Sequence, residues 1–405
     1  MGLVVQKFGG SSVANAERVF NVARTITETY KDGNDVVVVV SAQGDTTDDL
    51  IEKAKEINKK PSKREMDMLL ATGEQISISL LAMAIESLGF PVISLTGWQA
   101  GMQTNANYGI ARLSKINTER LELELGRKNI VIVAGFQGIN KYDDITTLGR
   151  GGSDTSAVAL AAALKADVCE IYTDVDGVYT ADPRIVKDAA KLDEISYDEM
   201  LELASLGANV LNNRSVEMAK KYNVKLKVLS SLHKAEGTIV KEVSDVEKML
   251  VRGVTRDNDT ARISLTEVAD TPGKAFSIFS ILAKHNINVD LIIQSLGRNG
   301  TKDISFTVAE SNLDEALKVI NDNSAAIGAK EVLWDANVSK VSIVGAGMVT
   351  NPGVASGMFE ALYKAHINIH MIATSEIKVS VLIDRKDAEK AVVAIHDQFD
   401  MGKLN

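Results

Sequence analysis

Lys7 to Ser12 (KFGGSS) combines a lysine, two glycines and two hydroxyls at the end of a predicted strand. Apolar Leu3 to Gln6 predicts the strand, and the amphipathic run Val13 to Tyr30 predicts a helix after it. Glycines let backbone N–H groups approach an anion, a helix start adds partial positive charge, and Lys7 adds a full charge. The stretch indicates a phosphate-binding turn, although taken alone it fits a structural glycine turn with a surface lysine equally well.

A second polar stretch, Thr146 to Thr155 (TTLGRGGSDT), compresses an arginine, two adjacent glycines, a hydroxyl and a carboxylate before an alanine-rich helix. Ser153 or Asp154 could simply cap that helix. Capping alone requires neither Arg150 nor both glycines. The composition therefore favours a site for an anion or an amino acid.

A third stretch, Thr173 to Arg184 (TDVDGVYTADPR), follows an apolar strand predicted over Val168 to Tyr172. It holds carboxylates, hydroxyls, a tyrosine and an arginine. Two successive turns, Asp-Gly and Asp-Pro, would explain it without a ligand.

All five histidines lie after residue 232, and the single cysteine, Cys169, lies within an apolar strand. Ser-His-Asp and Cys-His chemistry is therefore excluded from the first part of the chain, as are a disulfide framework and a cysteine-based metal site. Carboxylates, lysine, arginine and backbone amides remain. That set suits phosphoryl transfer, where positioning and charge neutralisation dominate.

The elements that must position these residues alternate up to about residue 230. Apolar runs predict strands at Asp35 to Val40, Ile130 to Val133, Val168 to Tyr172 and Lys225 to Leu229, with helices at Arg64 to Leu88 and Thr155 to Leu164. Continuous apolar strands separated by helices indicate an α/β layered domain. Open sheets of this kind bind ligands beyond the carboxyl ends of their strands. We therefore expect one cleft there, formed by four segments: Gly9-Gly10, Ser41 to Gly44, Gly135 to Gly138 and Thr173 to Gly177.

From about residue 260 the sequence repeats itself with an offset of 80 positions. Pro272-Gly273 matches Pro352-Gly353, and Ile287-Asn288 matches Ile367-Asn368. Each copy predicts strand, helix, strand, strand, helix, which is a βαββαβ pattern. The copies are either packing modules or paired small-molecule sensors, and the helix starts at Pro-Gly favour the sensor because they present backbone donors.

The composition limits the kinds of molecule that this chain could bind. The chain has 405 residues, 45% of them hydrophobic, and a net charge of −9, which argues against nucleic acid and anionic membrane surfaces. No uninterrupted apolar run approaches about 18 residues, so we expect no membrane role. The single buried cysteine fits a reducing, cytoplasmic location.

Six ordered motifs together resemble the aspartokinase family of the amino-acid kinase superfamily. They are KFGGSS from Lys7, SAQGDTTD from Ser41, ATGEQIS from Ala71, GWQAG from Gly97, LGRGGSDT from Leu148 and TDVDGVYTADPR from Thr173. The repeat resembles the family's paired ACT regulatory domains. The resemblance implies an α/β fold: a three-layer kinase domain with a mainly parallel sheet (1–245), then two ferredoxin-like βαββαβ domains (260–335 and 338–405).

The implied reaction is phosphoryl transfer from MgATP to the side-chain carboxylate of L-aspartate. Lys7 would neutralise the transferring phosphoryl, the amides of Gly9 and Gly10 would hold its oxygens, and Asp154 would orient Lys7 and substrate. The motifs place further residues at the nucleotide (Ser41, Thr173, Asp174, Tyr179, Asp182, Arg184) and at aspartate (Thr47, Glu74, Arg150, Gly151, Gly152, Ser153). Glu74 could meet the α-ammonium and Arg150 a carboxylate. Mg²⁺ would be held mainly by phosphates and waters, without a protein-only metal site.

The resemblance also implies feedback inhibition by lysine or threonine and a homo-oligomer formed through ACT pairing. The expected effector residues are Asp270, Gly273, Ala275, Asn288 and Gln294 in the first copy and Asn368, Ser375 and Glu376 in the second. Met249 begins Met-Leu-Val-Arg-Gly where some relatives start a separate small subunit, so a two-subunit assembly is a further expectation.

Two departures from the family pattern stand out. Asn209 occupies a position where members commonly carry a lysine facing the nucleotide; Arg184, Arg214 or Lys220 could supply the charge. Only six residues follow the predicted helix Arg385 to Phe399, so the last strand is short or borrowed from elsewhere. The alternatives are a carboxylate kinase of the glutamate or acetylglutamate type and an amino-acid-sensing regulator with a degenerate kinase domain.

Overall fold

The computed structural model describes residues 2–207, 210–242, 250–297, 299–345, 348 and 351–403. The chain packs into two compact units. The first comprises Met1–Val178, Lys191–Ala204 and Asn209–Ser244, and the second comprises Tyr179–Ala190, Ser205–Ala208 and Asp245–Asn405.

The first unit is built on an eight-stranded sheet flanked by helices. Its strands in chain order, including those of a smaller sheet, are β1 (Leu3–Phe8), β2 (Asp35–Val40), β3 (Val92–Leu95), β4 (Met102–Thr104), β5 (Leu113–Ile116), β6 (Ile130–Ala134), β7 (Gln137–Ile139), β8 (Ile145–Thr147), β9 (Val168–Thr173), β10 (Glu194–Ser196), β11 (Leu226–Ser230) and β12 (Thr238–Lys241). Its helices are α1 (Ala16–Lys31), α2 (Thr46–Ile57), α3 (Lys63–Ser87), α4 (Glu119–Gly126), α5 (Gly152–Leu164), α6 (Tyr197–Ser205) and α7 (Asn213–Tyr222).

The large sheet has the order β10-β12-β11-β9-β1-β2-β6-β3, and its central strands are parallel. Among the described strands of this sheet, the pairing of β11 with β12 is the antiparallel one. Val36, Val38 and Val40 of β2 pack in one hydrophobic core with α1 and α3, whereas Val39 faces the side where α5 begins. Helices therefore cover both faces, and the predicted three-layer architecture with a mainly parallel sheet is confirmed.

A second, four-stranded sheet has the order β5-β4-β7-β8. Its strands are three or four residues long, too short to stand out in the sequence. Strand β8 ends at Thr147, and the arginine and glycine loop follows directly. This small sheet therefore positions the loop that leads into α5.

Helix α3 is long and apolar enough to cross a membrane by length and composition alone, with a mean hydropathy of 1.6 over its most apolar 18 residues. Half of that window is buried inside the protein. Its sequence is interrupted by polar residues, two of which, Asp67 and Glu74, are themselves buried. A buried core helix meets the same criterion, so the property does not by itself indicate a membrane span.

The second unit contains the two predicted repeats. Its strands are β13 (Gly253–Asp257), β14 (Ala261–Ala269), β15 (Ile292–Gln294), β16 (Thr301–Val308), β17 (Val332–Asp335), β18 (Val338–Val344), β19 (Met371–Thr374) and β20 (Lys378–Asp384). Its helices are α8 (Lys274–Lys284), α9 (Leu313–Asp322), α10 (Ser324–Ile327), α11 (Val354–Lys364) and α12 (Ala388–Gln398).

The repeat of 80 positions is confirmed, because α8 and α11 begin 80 residues apart (354 − 274). Each helix is preceded by a glycine with a left-handed backbone, with φ of 90° at Gly273 and 105° at Gly353. A side chain is strained at such angles, which explains the glycine of both Pro-Gly pairs.

The two repeats obtain their last strand differently. In the first, β17 follows the second helix and pairs antiparallel with β14, giving the order β15-β16-β14-β17. In the second, β13 takes the equivalent place beside β18, giving the order β13-β18-β20-β19. The expectation that the last strand is borrowed is therefore confirmed. The strand comes from residues that precede the first repeat.

Candidate active site

A cleft of about 640 Å³ lies in the first unit beyond the carboxyl ends of β1, β2 and β6. Three of the four expected segments line it, and Thr173 to Gly177 does not. Eleven of the predicted site residues line the cleft: Lys7, Gly9, Gly10, Ser41, Thr47, Glu74, Arg150, Gly151, Gly152, Ser153 and Asp154. Four of the sequence motifs therefore converge in space on one glycine-rich cleft.

At its centre Lys7 and Asp154 form an ion pair. The Lys7 Nζ lies 2.7 Å from Asp154 Oδ1, and the side chains are only 13% and 12% exposed. Lys7 is the penultimate residue of β1, and Asp154 lies in the first turn of α5. A lysine held by a carboxylate at the floor of a cleft keeps its charge in place for an anionic ligand.

The glycine pair does not lead directly into α1, although the sequence predicted a helix starting at Val13. Gly10 starts a separate four-residue 3₁₀ turn, and α1 begins later, where the side chain of Asn15 accepts a hydrogen bond from the backbone N–H of Arg18. The glycine pair therefore does not lie at the N-terminus of α1, where the helix dipole has its positive end. What the glycines provide is close approach: a Cβ on Gly10 would lie 2.5 Å from the carbonyl oxygen of Ala42.

Glu74 is buried in the middle of α3, with 3% of its surface exposed. Its Oε1 accepts a hydrogen bond from the backbone N–H of Ala42 at 3.1 Å, while its Oε2 is buried without a hydrogen-bond partner among the described residues. Burial raises the pKa of Glu74 to about 7. An unpaired buried carboxylate oxygen at a cleft is suited to receive a cationic ligand group.

Close packing holds the arginine and glycine loop in place. Gly151 has φ of 68°, and Gly152 packs against Leu148 and Phe136. A Cβ on Gly135 would lie 2.6 Å from the Oγ of Ser153. The loop glycines are thus required by geometry, and they leave the exposed Arg150 side chain at the cleft.

Two residues at the start of α7 hold this loop in place: Asn212, which the sequence did not single out, and Arg214, which it named only as a possible replacement for a lysine at position 209. The Asn212 side chain donates to the carbonyl oxygen of Arg150 at 3.2 Å. The Arg214 guanidinium donates to the carbonyl oxygens of Leu148 and Ala111, each at 3.0 Å. Burial lowers the pKa of Arg214. Neither residue lies in a recognisable motif, so only the fold reveals their role.

Asp67 is a further residue that sequence reasoning missed. It is fully buried on α3 and accepts hydrogen bonds from the backbone N–H groups of Gly109 and Thr147 and from the Thr147 hydroxyl, the last at 2.6 Å. Burial raises the pKa of Asp67, and these hydrogen bonds partly offset the rise. It joins the cleft wall to β8. A single acidic residue on a helix gave no sequence signal for this.

The segment Thr173 to Arg184, which the sequence predicted to contact the nucleotide, is divided between the units. Thr173 and Asp174 follow β9 in the first unit, where the Thr173 hydroxyl donates to Asp174 Oδ1 at 3.0 Å. Tyr179, Asp182 and Arg184 belong to the second unit. There the Arg184 guanidinium forms an ion pair with Asp182 at 2.8 Å, and hydrogen bonds from Arg184 hold the pKa of Asp182 below its usual range.

Asn209 lies outside the described residues. Of the three cations that could replace the usual lysine, Arg184 pairs with Asp182, and Arg214 binds loop carbonyls. Lys220 pairs with Asp198 at 2.6 Å. None of the three lines the cleft described above. Met249 is likewise outside the described residues.

The expected effector residues lie at the ends of strands and helices in both repeats, and Asn288 and Asn368 are at equivalent positions. Asp270, Gly273 and Ala275 lie at the end of β14 and the start of α8, and Asn288 and Gln294 lie before and within β15. Asn368, Ser375 and Glu376 flank β19. All eight are exposed, and Asp270 pairs with the Lys302 amino group at 2.8 Å.

Comparison with known proteins agrees with this architecture. The amino acid kinase family matches residues 2–230, and the ACT domain matches residues 266–323 and 341–399. The fold, the cleft and these matches define an amino acid kinase with ACT domains.

An aspartokinase of Bacillus sp. (strain MGA3) is 52% identical to this chain over 99% of the chain and 98% of the relative. The solved structure of E. coli aspartokinase III in complex with aspartate and ADP covers 98% of this chain and all of that one, at 27% identity and a TM-score of 0.82. A second structure of that enzyme, in complex with lysine and aspartate, has 27% identity and a TM-score of 0.76 over 98% of this chain and 99% of that one. The chain belongs to the aspartokinase family and is a kinase.

Proposed function

We propose that the protein transfers the γ-phosphoryl group of ATP to the side-chain carboxylate of L-aspartate, giving 4-phospho-L-aspartate and ADP, the first step toward lysine, threonine and methionine. The observation that carries the proposal is the ion pair of Lys7 and Asp154, both only slightly exposed, in a glycine-rich cleft. A related aspartokinase binds aspartate and ADP.

In this reaction a carboxylate oxygen of aspartate attacks the γ-phosphorus, and the bond from that phosphorus to the bridging oxygen of ADP breaks. Charge on the transferring group must be neutralised. Lys7 supplies a positive charge whose position is fixed by Asp154, and the amides of Gly9 and Gly10 donate to phosphoryl oxygens. Both functions need rigid geometry, which the contact of Gly10 with Ala42 provides.

We assign the aspartate contacts to Thr47, Glu74, Arg150, Gly151, Gly152 and Ser153, which all line the cleft. The unpaired oxygen of Glu74 receives the α-ammonium. The exposed guanidinium of Arg150 forks onto a carboxylate, a geometry that arginine provides and lysine does not.

We assign the nucleotide contacts to Ser41, Thr173, Asp174, Tyr179, Asp182 and Arg184 on the resemblance of their motifs. Mg²⁺ is an expected companion of the nucleotide, and the carboxylates of Asp48 and Asp154 at the cleft are oxygen ligands of the kind it prefers. When bound, Mg²⁺ neutralises charge on the phosphates.

We further propose that lysine or threonine inhibits the enzyme through the repeats, at Asp270, Gly273, Ala275, Asn288 and Gln294 and at Asn368, Ser375 and Glu376. A related aspartokinase binds lysine. A homo-oligomer formed by ACT pairing, a separate small subunit starting at Met249 and a cytoplasmic location belong to the same proposal. So does the division into domains at 1–245, 260–335 and 338–405, with β13 supplying a strand to the last.

An aspartyl-hydroxamate assay with ATP and a panel of amino acids tests the activity. We expect hydroxamate with aspartate and only background with glutamate and acetylglutamate. Activity on glutamate or acetylglutamate would instead support a carboxylate kinase of that type. Absence of activity on all acceptors would support a regulator with a degenerate kinase domain.

A further inference from the structure

Three potential metal ligands converge in the second unit, away from the cleft. They are Asp188, His396 and Asp397, and one ligand atom from each lies within 4.8 Å of the other two. His396 and Asp397 are in the last turn of α12, and Asp188 comes from the Tyr179–Ala190 segment. The C-terminal end of a helix carries partial negative charge, which adds to the attraction for a cation.

His396 provides the independent sign of a ligand. Its side chain is completely buried, and its Nδ1 has no hydrogen-bond partner among the described residues. Its Nε2 is bonded to the Thr180 hydroxyl at 3.0 Å. A buried ring nitrogen without a partner costs free energy unless another group satisfies it.

The hydrogen bond to Thr180 is compatible with a ring tautomer that has its hydrogen on Nε2. The Thr180 Oγ1 already accepts a hydrogen bond from the backbone N–H of Ala190 at 3.0 Å, and it can also accept one from His396 Nε2–H. In that tautomer Nδ1 carries a lone pair. A ring with that lone pair beside two carboxylates resembles a metal-binding histidine whose other nitrogen is held by a hydrogen bond.

The backbone makes room for the carboxylate of Asp188. A Cβ on Gly402 would lie 2.8 Å from the Asp188 carboxylate oxygen Oδ2 and equally close to its carbonyl oxygen. A side chain at residue 402 would therefore displace Asp188.

We infer that Asp188, His396 Nδ1 and Asp397 bind one divalent transition-metal ion of the Zn²⁺ or Co²⁺ class, with water completing its coordination. One imidazole and two carboxylates suit such an ion, whereas Mg²⁺ and Ca²⁺ prefer oxygen ligands throughout. Tetrahedral ligands with metal bonds of about 2.0–2.2 Å lie about 3.3–3.6 Å apart, so ligand atoms as far apart as 4.8 Å must close by about 1.2–1.5 Å, which the two exposed aspartate side chains can do by rotation.

The ion would join the Tyr179–Ala190 segment to α12. The segment is already packed in the core of the second repeat through Ala181 and Val186. It also carries three residues assigned above to the nucleotide, so metal binding would influence ATP affinity; only this consequence rests on the proposed function. The metal site itself stands on the geometry of the second unit.

The test is calorimetric titration of chelator-treated full-length protein with Zn²⁺ alone, without nucleotide or Mg²⁺, and the visible spectrum of the Co²⁺ form. We expect one equivalent bound by the wild type. Asp188→Asn and Asp397→Asn should each weaken binding by at least about tenfold. Asp400→Asn is the matched control, because Asp400 is an exposed carboxylate one turn further on that pairs with Lys403; it should bind like the wild type.

A second measurement is the Tm with and without Zn²⁺. A ligand that binds only the folded state raises Tm, so the increase should occur in the wild type and Asp400→Asn but not in Asp188→Asn. His396→Gln should also lose binding, and the two exposed aspartate variants decide the matter should that core variant not fold. Wild-type protein that binds no Zn²⁺, or Asp188→Asn and Asp397→Asn that bind it as the wild type does, would overturn the inference.

Discussion

The amino group of Lys7 lies 2.7 Å from the carboxylate of Asp154 although the two residues come from β1 and from α5. The pairing is a product of the parallel sheet. Strand β1 ends at the same edge at which α5 begins, and α5 covers the face next to β1 and β9. The sheet thus brings a fixed cation and its partner to the place where ligands of open α/β sheets bind.

Lys7→Ala should nearly abolish turnover and leave the fold intact, because it removes a charge from the transition state. Loss of a cationic clamp in phosphoryl transfer reduces the rate by roughly 10³ to 10⁵, or about 4–7 kcal/mol. The measurement is kcat by the hydroxamate assay, with circular dichroism to verify folding.

Lys63→Ala is the control for Lys7, since Lys63 is an exposed lysine in the wall of the same cleft. It should change kcat by less than about tenfold. Equal losses in both variants would show that the general positive charge of the cleft matters and that the position of Lys7 does not.

The second prediction concerns the pH dependence of aspartate binding. The pKa of Glu74 is about 7, and only its ionised form attracts the ammonium group of aspartate. The KM for aspartate should therefore fall as pH rises through 7. Glu74→Gln should raise KM and remove this dependence, while Glu86→Gln, an exposed change on the same helix, should keep it. If the KM of Glu74→Gln varied with pH as that of the wild type does, Glu74 would not be the group that binds the ammonium of aspartate.

The same residue gives a third prediction, on stability without substrate. The pKa of Glu74 rises from 4.5 to about 7 on folding, so the folded state binds the extra proton and the wild type loses stability as pH rises from 4.5 to 7. Above pH 7 the loss is on the order of 3 kcal/mol. Glu74→Gln avoids ionisation and should gain stability relative to the wild type between pH 5 and pH 8. Urea unfolding of both proteins at pH 5 and pH 8 measures their free energies of unfolding. If the difference between the two proteins were the same at both pH values, the pKa assigned to Glu74 would be wrong.

Gly10→Ala is a fourth test, of the glycine turn. The new Cβ would lie 2.5 Å from the carbonyl oxygen of Ala42, so the two loops must separate. We expect kcat to fall at least about a hundredfold, because a displacement of about 1 Å at reacting groups has that effect. Gly126→Ala is the control, since nothing lies within 4 Å of a Cβ there. Wild-type kcat in Gly10→Ala would mean that the close approach is dispensable.

The sequence predicted the parts of this molecule that have a local signal. Continuous valines indicated β2, the offset repeat indicated the paired regulatory folds, and four of the six motifs (KFGGSS, SAQGDTTD, ATGEQIS and LGRGGSDT) indicated residues of the cleft. The role of Asp67 was not predictable, because its three hydrogen bonds go to groups far away in sequence. The extent of the KFGGSS turn was also misjudged: a glycine pair before an amphipathic run predicts a helix start, but Asn15 provides the better cap.

The regulatory effect is the last prediction. Lysine or threonine should inhibit the kinase by roughly 5- to 150-fold at saturation, corresponding to a coupling of about 1–3 kcal/mol. An amino acid can place its carboxylate on the amides at Gly273 or Gly353, and its ammonium needs an acceptor such as Asp270 or Glu376. Asp270 already binds Lys302, so an effector ammonium must share or displace that lysine.

Asp270→Ala and Glu376→Ala should therefore raise the effector concentration for half-inhibition at least about tenfold without lowering kcat in its absence, since each variant loses a charged hydrogen bond to the ammonium. Asp322→Ala, an exposed carboxylate on α9, is the matched control and should leave inhibition unchanged. Activity and oligomeric state are measured against both amino acids, singly and together. If neither amino acid alters activity or assembly at millimolar concentration, the repeats serve as packing modules, because a ligand shifts an equilibrium only through a difference in affinity between two states.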